Sequence, residues 1–400
     1  MKDVMEEQDT EIKKLVRFAE EHSNDNEDRL LLNAPSYPEV DMKRVIEHLE
    51  GRKRARSKLP SWYSHKDIFY PSKLSIEQCS SESSAIYKAG LATGSSLTDL
   101  TGGFGVDCAA FAGRMKQVDY YERDPLYCLA AENNFKALGL DNITIHHADS
   151  TLHIGEILSD TIYVDPHRRG EYDRRLYDIR DCEPDVTKLK EGLLEHCRRL
   201  MVKLSPMADI SQTLHLLPEC REIHIVSVKN ECKEILAILE KEGGGPVRIC
   251  ASEIEGGGEI HSFSFLTEEE EACTAGIAEE PEAFLYEPYS SVIKSGAFKL
   301  LAQRYGTPKL GKNSHLYTGK VPDPGFPGRK FRICSCMSLS AKELRKLSKV
   351  YPQANITVRN FPLSVNEIRK ISRIKEGGDV YIFATTLSDD RKIYIICKKI

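Results

Sequence analysis

Hydrophobic and polar positions change rhythm three times along the chain. Residues 1–60 repeat apolar positions at helical spacing between polar connections, "APSYPEV" breaks the run, and "VDMKRVIEHLEGRKRARSKLPSW" reads as a helix running into a basic segment. From about residue 68 to 265 short apolar runs alternate with helical stretches. Strands are expected at 97–100, 118–122, 143–147, 161–164, 200–204, 223–228 and 260–265, with a helix over 125–138. That alternation predicts an α/β domain with one parallel or mostly parallel sheet and helices on both faces. The acidic run "TEEEEACTAGIAEEPEA" marks a boundary, after which "FLYEPYSSVIKSGAFKLLAQRYG" reads as a strand end and a helix. "VPDPGFPGRKFRI" is a linker or turn. The last seventy or so residues read strand, helix, strand, helix, strand, strand, a compact α+β unit. The expected division is 1–60, 61–270, 271–326 and 327–400.

Composition narrows the class. At 400 residues the chain exceeds one ordinary core, and it has no apolar run long enough to span a bilayer. Its first residues are acidic and helical in pattern, without the basic start and apolar middle of a signal peptide. The 12 cysteines are scattered with no C-x-x-C pair, and the closest two, Cys334 and Cys336, fit no common zinc knuckle. Reduced, buried thiols in a cytoplasmic protein are the reading, with no metal. The net charge of −5 hides an asymmetry: residues 286–400 hold 22 Lys and Arg against 8 Asp and Glu, a surplus of +14 that leaves −19 on residues 1–285. A basic part of this kind is expected to meet a polyanion such as nucleic acid, the alternative being attraction between the two parts. Arg52, Lys53, Arg54, Arg56 and Lys58 are either phosphate contacts or a solvated helix end.

Chemistry concentrates in "LTDLTGGFGVDCAAF". A strand, a glycine-rich turn and a helix are how α/β proteins hold a nucleotide. Gly103 and Gly105 match the first two glycines of a dinucleotide fingerprint, but Cys108 occupies the third place, and Glu122 at the end of the next strand suits either a dinucleotide or S-adenosylmethionine. Asp99 precedes the glycines, where a carboxylate suits a cationic amino group rather than a pyrophosphate. Asp149 follows the third strand and Asp165 the fourth. Four acids at four successive strand ends line the carboxyl edge of one sheet, where ligands of such folds bind; helix capping explains any one of them, less well all four.

"DLTGGFGVD", "YYERDP", "HHADS" and "VDPHRRG" resemble, in order and spacing, the successive motifs of class I S-adenosylmethionine-dependent methyltransferases. The chain is further similar to a bacterial group in which this domain precedes a ferredoxin-like segment and a C-terminal THUMP-like domain. "QCSSESSAIYKAG", "VKLSPMADI", "GAFKLLAQRYG", "NSHLYTG" and "RNFPLSVNEIRKI" carry that likeness over nearly everything after residue 60. The resemblance implies a Rossmann-like methyltransferase sheet over 61–270 after an N-terminal helical region. A ferredoxin-like segment and linker would follow over 271–326, and a THUMP-like, RNA-binding domain over 327–400. It also implies roles. Gly102, Gly103 and Gly105 let the backbone approach the cofactor, Asp99 lies near its amino-acid part, Glu122 holds the ribose hydroxyls, Asp149 with Ser150 faces adenine, and Thr101 and Arg123 also bind the cofactor. Asp165, Pro166 and Arg168 stand at the reacting position.

The acceptor is less determined. Exocyclic-amine methyltransferases often place an aromatic where Arg168 stands. "DPHRRG" is also similar to the D-P-P-R-x-G of uridine-C5 enzymes, but Ser205 sits where their cysteine nucleophile would help, and Cys197 reads as packing. Phe104, Tyr163, Tyr172 and Tyr177 are candidates for base stacking or for the core. His146, His147 and His167 lack partners at metal-ligand spacing. Arg168, Arg169, Arg174 and Arg175 either grip phosphate or pair with Glu171, Asp173 and Asp178. The expectation is a methyltransferase acting on tRNA or rRNA. Its rivals are a nucleic-acid-binding protein with a non-catalytic fold, a methyltransferase of protein or small molecules, and an NAD-dependent dehydrogenase.

Overall fold

The structure, a computed structural model, describes residues 2–168, 178–242, 244–338 and 340–400. The chain divides into two compact units, 1–221 with 234–245, and 222–233 with 246–400. Among the described residues no helix is long and apolar enough to cross a membrane.

The first unit opens with helices Lys2–Glu21, Glu27–Leu32 and Met42–Lys58. Asn26 and Asp41 cap the last two by accepting the backbone N–H of Arg29 and Arg44. Ile12, Leu15, Val16 and Ala19 pack on Val45 and Leu49, and this cluster reaches Phe69 and Ala130. Four of the five basic residues at 52–58 have partners inside the chain. Arg52 pairs with Glu20 (3.5 Å), Lys53 with Glu27 (2.8 Å) and Arg54 with Glu77 (3.3 Å), and Lys58 donates to the carbonyls of Ile76 and Glu77.

The chain then lays down β1 (Ser96–Asp99), β2 (Gln117–Glu122), β3 (Ile143–His147), β4 (Thr161–Val164), the short β5 (His167–Arg168) and β6 (Cys182–Glu183), and β7 (Arg199–Leu204). After β8 (Cys220–Val228) comes β9 (Glu231–Leu239). In the first unit the strands stand in the order β9-β7-β4-β1-β2-β3. All neighbours are parallel except β9, which runs against β7. β4 is buried at every position, as a strand covered on both faces must be. The order reverses at β1: the chain builds outward to β2 and β3, then crosses back to β4 and β7. Such a switch point opens a crevice beyond the carboxyl ends of the central strands.

In the second unit β8 pairs in parallel with β10 (Arg248–Ile254), which pairs antiparallel with β11 (Ile260–Leu266). Neither β9 nor β10 is among the strands expected from sequence. The run "EILAIL" in β9 is continuously apolar, so periodicity does not separate strand from helix there. The chain reverses before it at Lys229 and Asn230, both at positive φ (52° and 61°), without the glycine that usually flags such a turn.

A second sheet contains β12 (Phe284–Pro288), β13 (Tyr317–Gly319), β14 (Gly328–Ser338), β15 (Asn355–Arg359), β16 (Val380–Thr386) and β17 (Lys392–Lys399), in the order β13-β12-β14-β17-β16-β15. Only β15 and β16 are parallel. Helices Ala341–Val350 and Val365–Ser372 put Leu344, Leu347 and Ile368 onto one face, against Ile382, Ala384 and Ile396. Leu285, Leu310, Leu316, Phe331 and Phe383 form a core on the other. β12 and β14 pair from Phe284–Arg332 to Pro288–Gly328, so the sheet runs without a break from the "FLYEP" strand into the last seventy residues.

Candidate active site

Beyond the carboxyl ends of β1, β2 and β4 lies a cavity of about 660 Å³, lined by Asp99, Thr101–Gly105, Tyr121–Arg123, Ala148–Thr151, Asp165, His167 and Lys203, among others. The glycine turn explains itself sterically. A Cβ on Gly102 would stand 2.1 Å from the Tyr120 ring. Gly105, at φ +85°, would press one to 2.8 Å from Phe135. Gly103 has φ +54°, and its Cβ position meets only the Thr101 carbonyl at 3.8 Å, so the backbone there is bare toward open space.

The four acids meet around this turn. Asp99 is buried and accepts from the Thr101 N–H (3.0 Å). Burial pushes its carboxyl up to about 8; the Thr101 N–H counters part of this, while Asp107, Asp165 and Glu122 add to it. Glu122 accepts three backbone N–H groups, from Gly103 (2.8 Å), Arg123 (2.7 Å) and Asp124 (2.8 Å), and so joins the glycine turn to β2. Asp149 accepts from Thr151 through both its hydroxyl and its N–H. The hydroxyl bond is the largest cause holding the carboxyl below its usual range. Ser150 is buried and donates to the Leu100 carbonyl (2.8 Å), tying the third strand's loop to the first. Arg123 bridges to Glu183 (2.7 Å) and stands 3.8 Å from Asp149. Thr101 links two acids: its hydroxyl accepts the Asp165 N–H (2.7 Å) and donates to Asp99 (3.4 Å).

At the fourth strand the expected residues part company. Asp165 faces the cavity, Pro166 is buried and does not line it, and Arg168 pairs through its backbone with Cys182. The side chain of Arg168 lies outside the described residues, as do Arg169, Glu171, Tyr172, Asp173, Arg174, Arg175 and Tyr177. Asp178 pairs with Arg180. Tyr163 is buried and donates to Asp107 (2.9 Å), while Phe104 is buried and packs on Trp62; both also form part of the cavity wall. His146 bonds Asp119 (2.7 Å), and His147 lies 3.1 Å from the Arg123 carbonyl. Ser205 accepts from the Met207 N–H, and burial pushes the Cys197 thiol up to about 12, away from a nucleophilic thiolate. Among the described residues one His/Asp/Glu group has ligand-like spacing, Glu255, Glu259 and His261 at the β10–β11 turn, with both glutamates exposed.

Sequence reasoning missed the floor. Lys203, at the end of β7, donates to Asp165 (2.6 Å), because β4 and β7 pair Val164 with Val202 and the next residues fall side by side. Lys88 is wholly buried and bonds Ser80 (2.5 Å), Asp107 (3.0 Å) and Glu234 (3.0 Å). Burial opposes the charges of Asp107 and Lys203, but their opposite neighbours outweigh it. Lys88 and Lys203 hold Asp107 below its usual range, and Asp165, Glu234 and Asp107 hold Lys203 above its own. A lysine one place beyond the strand register of Asp165 was the available signal.

The crystal structure described as a "putative methyltransferase from Porphyromonas gingivalis W83" matches with a TM-score of 0.90 at 35% identity, over 98% of each chain. The family described as "ferredoxin-like domain" matches residues 284–327 and that described as "THUMP domain-like" matches residues 328–399. This chain belongs to the methyltransferases that carry a THUMP-like domain. Weaker likenesses cover 40% and 39% of it. An rRNA methylase from Streptococcus thermophilus has 16% identity and a TM-score of 0.30, over 94% of its own chain. A Streptococcus mutans protein described as a "putative methyltransferase" in complex with SAH has 13% identity and a TM-score of 0.30, again over 94% of its chain. No protein of curated function matches the sequence. In this THUMP-like methyltransferase the sheet shared by β12 and β14 makes the ferredoxin-like and THUMP-like segments one folded body.

Proposed function

We propose that the protein is a class I S-adenosylmethionine-dependent methyltransferase of structured RNA, tRNA or rRNA, acting in the cytoplasm. The observation that carries this is the meeting of Asp99, Glu122, Asp149 and Asp165 around a glycine-walled cavity at the carboxyl ends of four parallel strands. The residues fit the cofactor. Bare backbone at Gly103 admits a close approach, buried Asp99 can exchange its proton for an ammonium partner, and Glu122 and Asp149 stand at successive strand ends for hydroxyls and an adenine edge. S-adenosylmethionine supplies an activated methyl group, so the protein's own work is to align the acceptor and exclude water. Asp165, with Thr101 and Lys203 fixing it, is the group placed to orient the acceptor or take its proton.

The +14 surplus of residues 286–400 supports docking to RNA. Helices Ala341–Val350 and Val365–Ser372 bury their apolar sides and leave Arg345, Lys346, Lys349 and Lys370 exposed, with Arg373 and Lys375 exposed just beyond the second helix. Such a face should lose affinity steeply with salt. Charge reversal at Arg345, Lys349 and Arg373 tests this more cleanly than deletion, which would cut a continuous sheet. The reading as a whole is tested by titrating S-adenosylmethionine and NAD separately, then supplying methyl-labelled S-adenosylmethionine to a lysate from cells lacking the gene. Label in RNA supports it. Binding of NAD alone, or label only in protein or small molecules, overturns the cofactor or the RNA substrate respectively.

A further inference from the structure

Lys203 is the feature that the cofactor does not explain. It lines the same cavity as Asp99 and Glu122, contacts Asp165 at 2.6 Å, and keeps only 16% of its side chain exposed. Glu234 and Asp107, themselves tied to Lys88, add negative charge to its surroundings. Asp165, Glu234 and Asp107 keep that ammonium charged in spite of its burial, so the cavity presents a fixed cation. A fixed cation also discriminates between acceptors. A neutral amine attacking a sulfonium methyl gathers positive charge in the transition state, which a touching ammonium opposes. A hydroxyl gives up its proton and gathers negative charge, which the same ammonium stabilises.

Resting on the S-adenosylmethionine reading above, we infer that the methyl acceptor is an oxygen, the ribose 2′-hydroxyl of RNA, held between Asp165 and Lys203. The hydroxyl donates to the Asp165 carboxylate and accepts from the Lys203 Nζ. As the new C–O bond forms the C–S bond breaks, its electron pair stays on sulfur as the thioether, and the hydroxyl proton passes to Asp165 and then to water. The product ether is neutral, and no other reactant is required. The absence of an aromatic at Arg168 and of a cysteine at Ser205 agrees with an acceptor that is neither a stacked base amine nor a pyrimidine carbon.

The test uses the full-length protein, methyl-labelled S-adenosylmethionine and total RNA from cells lacking the gene, followed by alkaline hydrolysis. A 2′-O-methyl group blocks cleavage of the adjoining phosphodiester, so the label should emerge in dinucleotides. Label in mononucleotides overturns the inference while leaving RNA methylation intact. Label that never enters RNA, with S-adenosylmethionine bound, overturns the RNA reading and this one with it. A second readout needs no acceptor. S-adenosylmethionine is one charge more positive than its demethylated product, so Lys203→Met should tighten the first relative to the second by about tenfold in calorimetry, and Lys203→Arg should restore the ratio. In transfer, Lys203→Met should lose about 100-fold or more in kcat. An unchanged affinity ratio in a folded Lys203→Met protein overturns the placement of Lys203 beside the methyl group.

Discussion

Each unit buries a cluster of ions, and the two clusters are built differently. In the second unit Glu287 is wholly buried between Arg329 and Arg359, which lie on β14 and β15 of the same sheet. One acid meets two bases, both keep a quarter or more of their side chains exposed, and nothing further is asked of the group. In the first unit Lys88 pairs with Asp107 and Glu234, Lys203 pairs with Asp165 within the field of those acids, and Asp107, Asp165 and Lys203 face a cavity while Lys88 is solvent-free. A clamp ends in water; a site's floor ends in space for a ligand. Burial alone does not mark function, whereas burial that opens onto a cavity with bare backbone does.

Removing Lys88 should separate the two designs most sharply. Lys88→Met leaves Asp107 and Glu234 buried without their cation, and breaking a buried pair in this way costs about 3–5 kcal/mol. Chemical denaturation should show the loss directly. A loss below about 1 kcal/mol would mean that water reaches the floor and that the network is no different from the Glu287 clamp.

Asp99 should behave in the opposite sense. Its folded value of about 8 lies above the usual carboxylate range, so the folded protein holds a proton that the unfolded chain releases. Stability is therefore greatest below about pH 4 on this account and is lost as the pH rises from there through 8. Asp99→Asn removes that loss. At about 1.36 kcal/mol per unit the gain at pH 8 has an upper bound near 5 kcal/mol, and the buried amide's unmet donors reduce it to something on the order of 2. The expected result is a variant that melts higher than wild type above pH 7, melts lower near pH 4, where only the amide's cost remains, and no longer binds S-adenosylmethionine.

The glycine turn shows how far the sequence could be read. Four motif acids and three glycines were legible because strand ends in a parallel sheet are marked locally, by an apolar run, a polar residue and a turn. The strand-helix order of the last seventy residues was legible from the same local marks, in a sheet that is mostly antiparallel. Lys88, Asp107, Glu234 and Lys203 were not, since they come from four separate elements and meet only through strand register and helix packing. Gly102→Ala and Gly103→Ala test the local part. The first drives a methyl group into Tyr120 and should cost about 1–3 kcal/mol along with cofactor binding. The second has room and pays only for its left-handed backbone, about 1–2 kcal/mol. If both lose cofactor binding equally in calorimetry, the turn's conformation and not the Tyr120 contact sets the approach.

The smallest effect is expected at the clamp. Glu287→Gln keeps the shape of the side chain and removes its charge, leaving Arg329 and Arg359 to turn toward the water they already partly contact, at side-chain exposures of 26% and 36%. A loss of about 1 kcal/mol follows, in the range of exposed rather than buried pairs. Glu287 lies on the ferredoxin-like segment and both arginines on the THUMP-like one, so the substitution loosens the junction between them without touching the cavity. Affinity for S-adenosylmethionine should therefore be unchanged in calorimetry. A loss as large as that of Lys88→Met would show that the arginines cannot rehydrate, and that the sheet is held shut at this point by the ion pairs themselves.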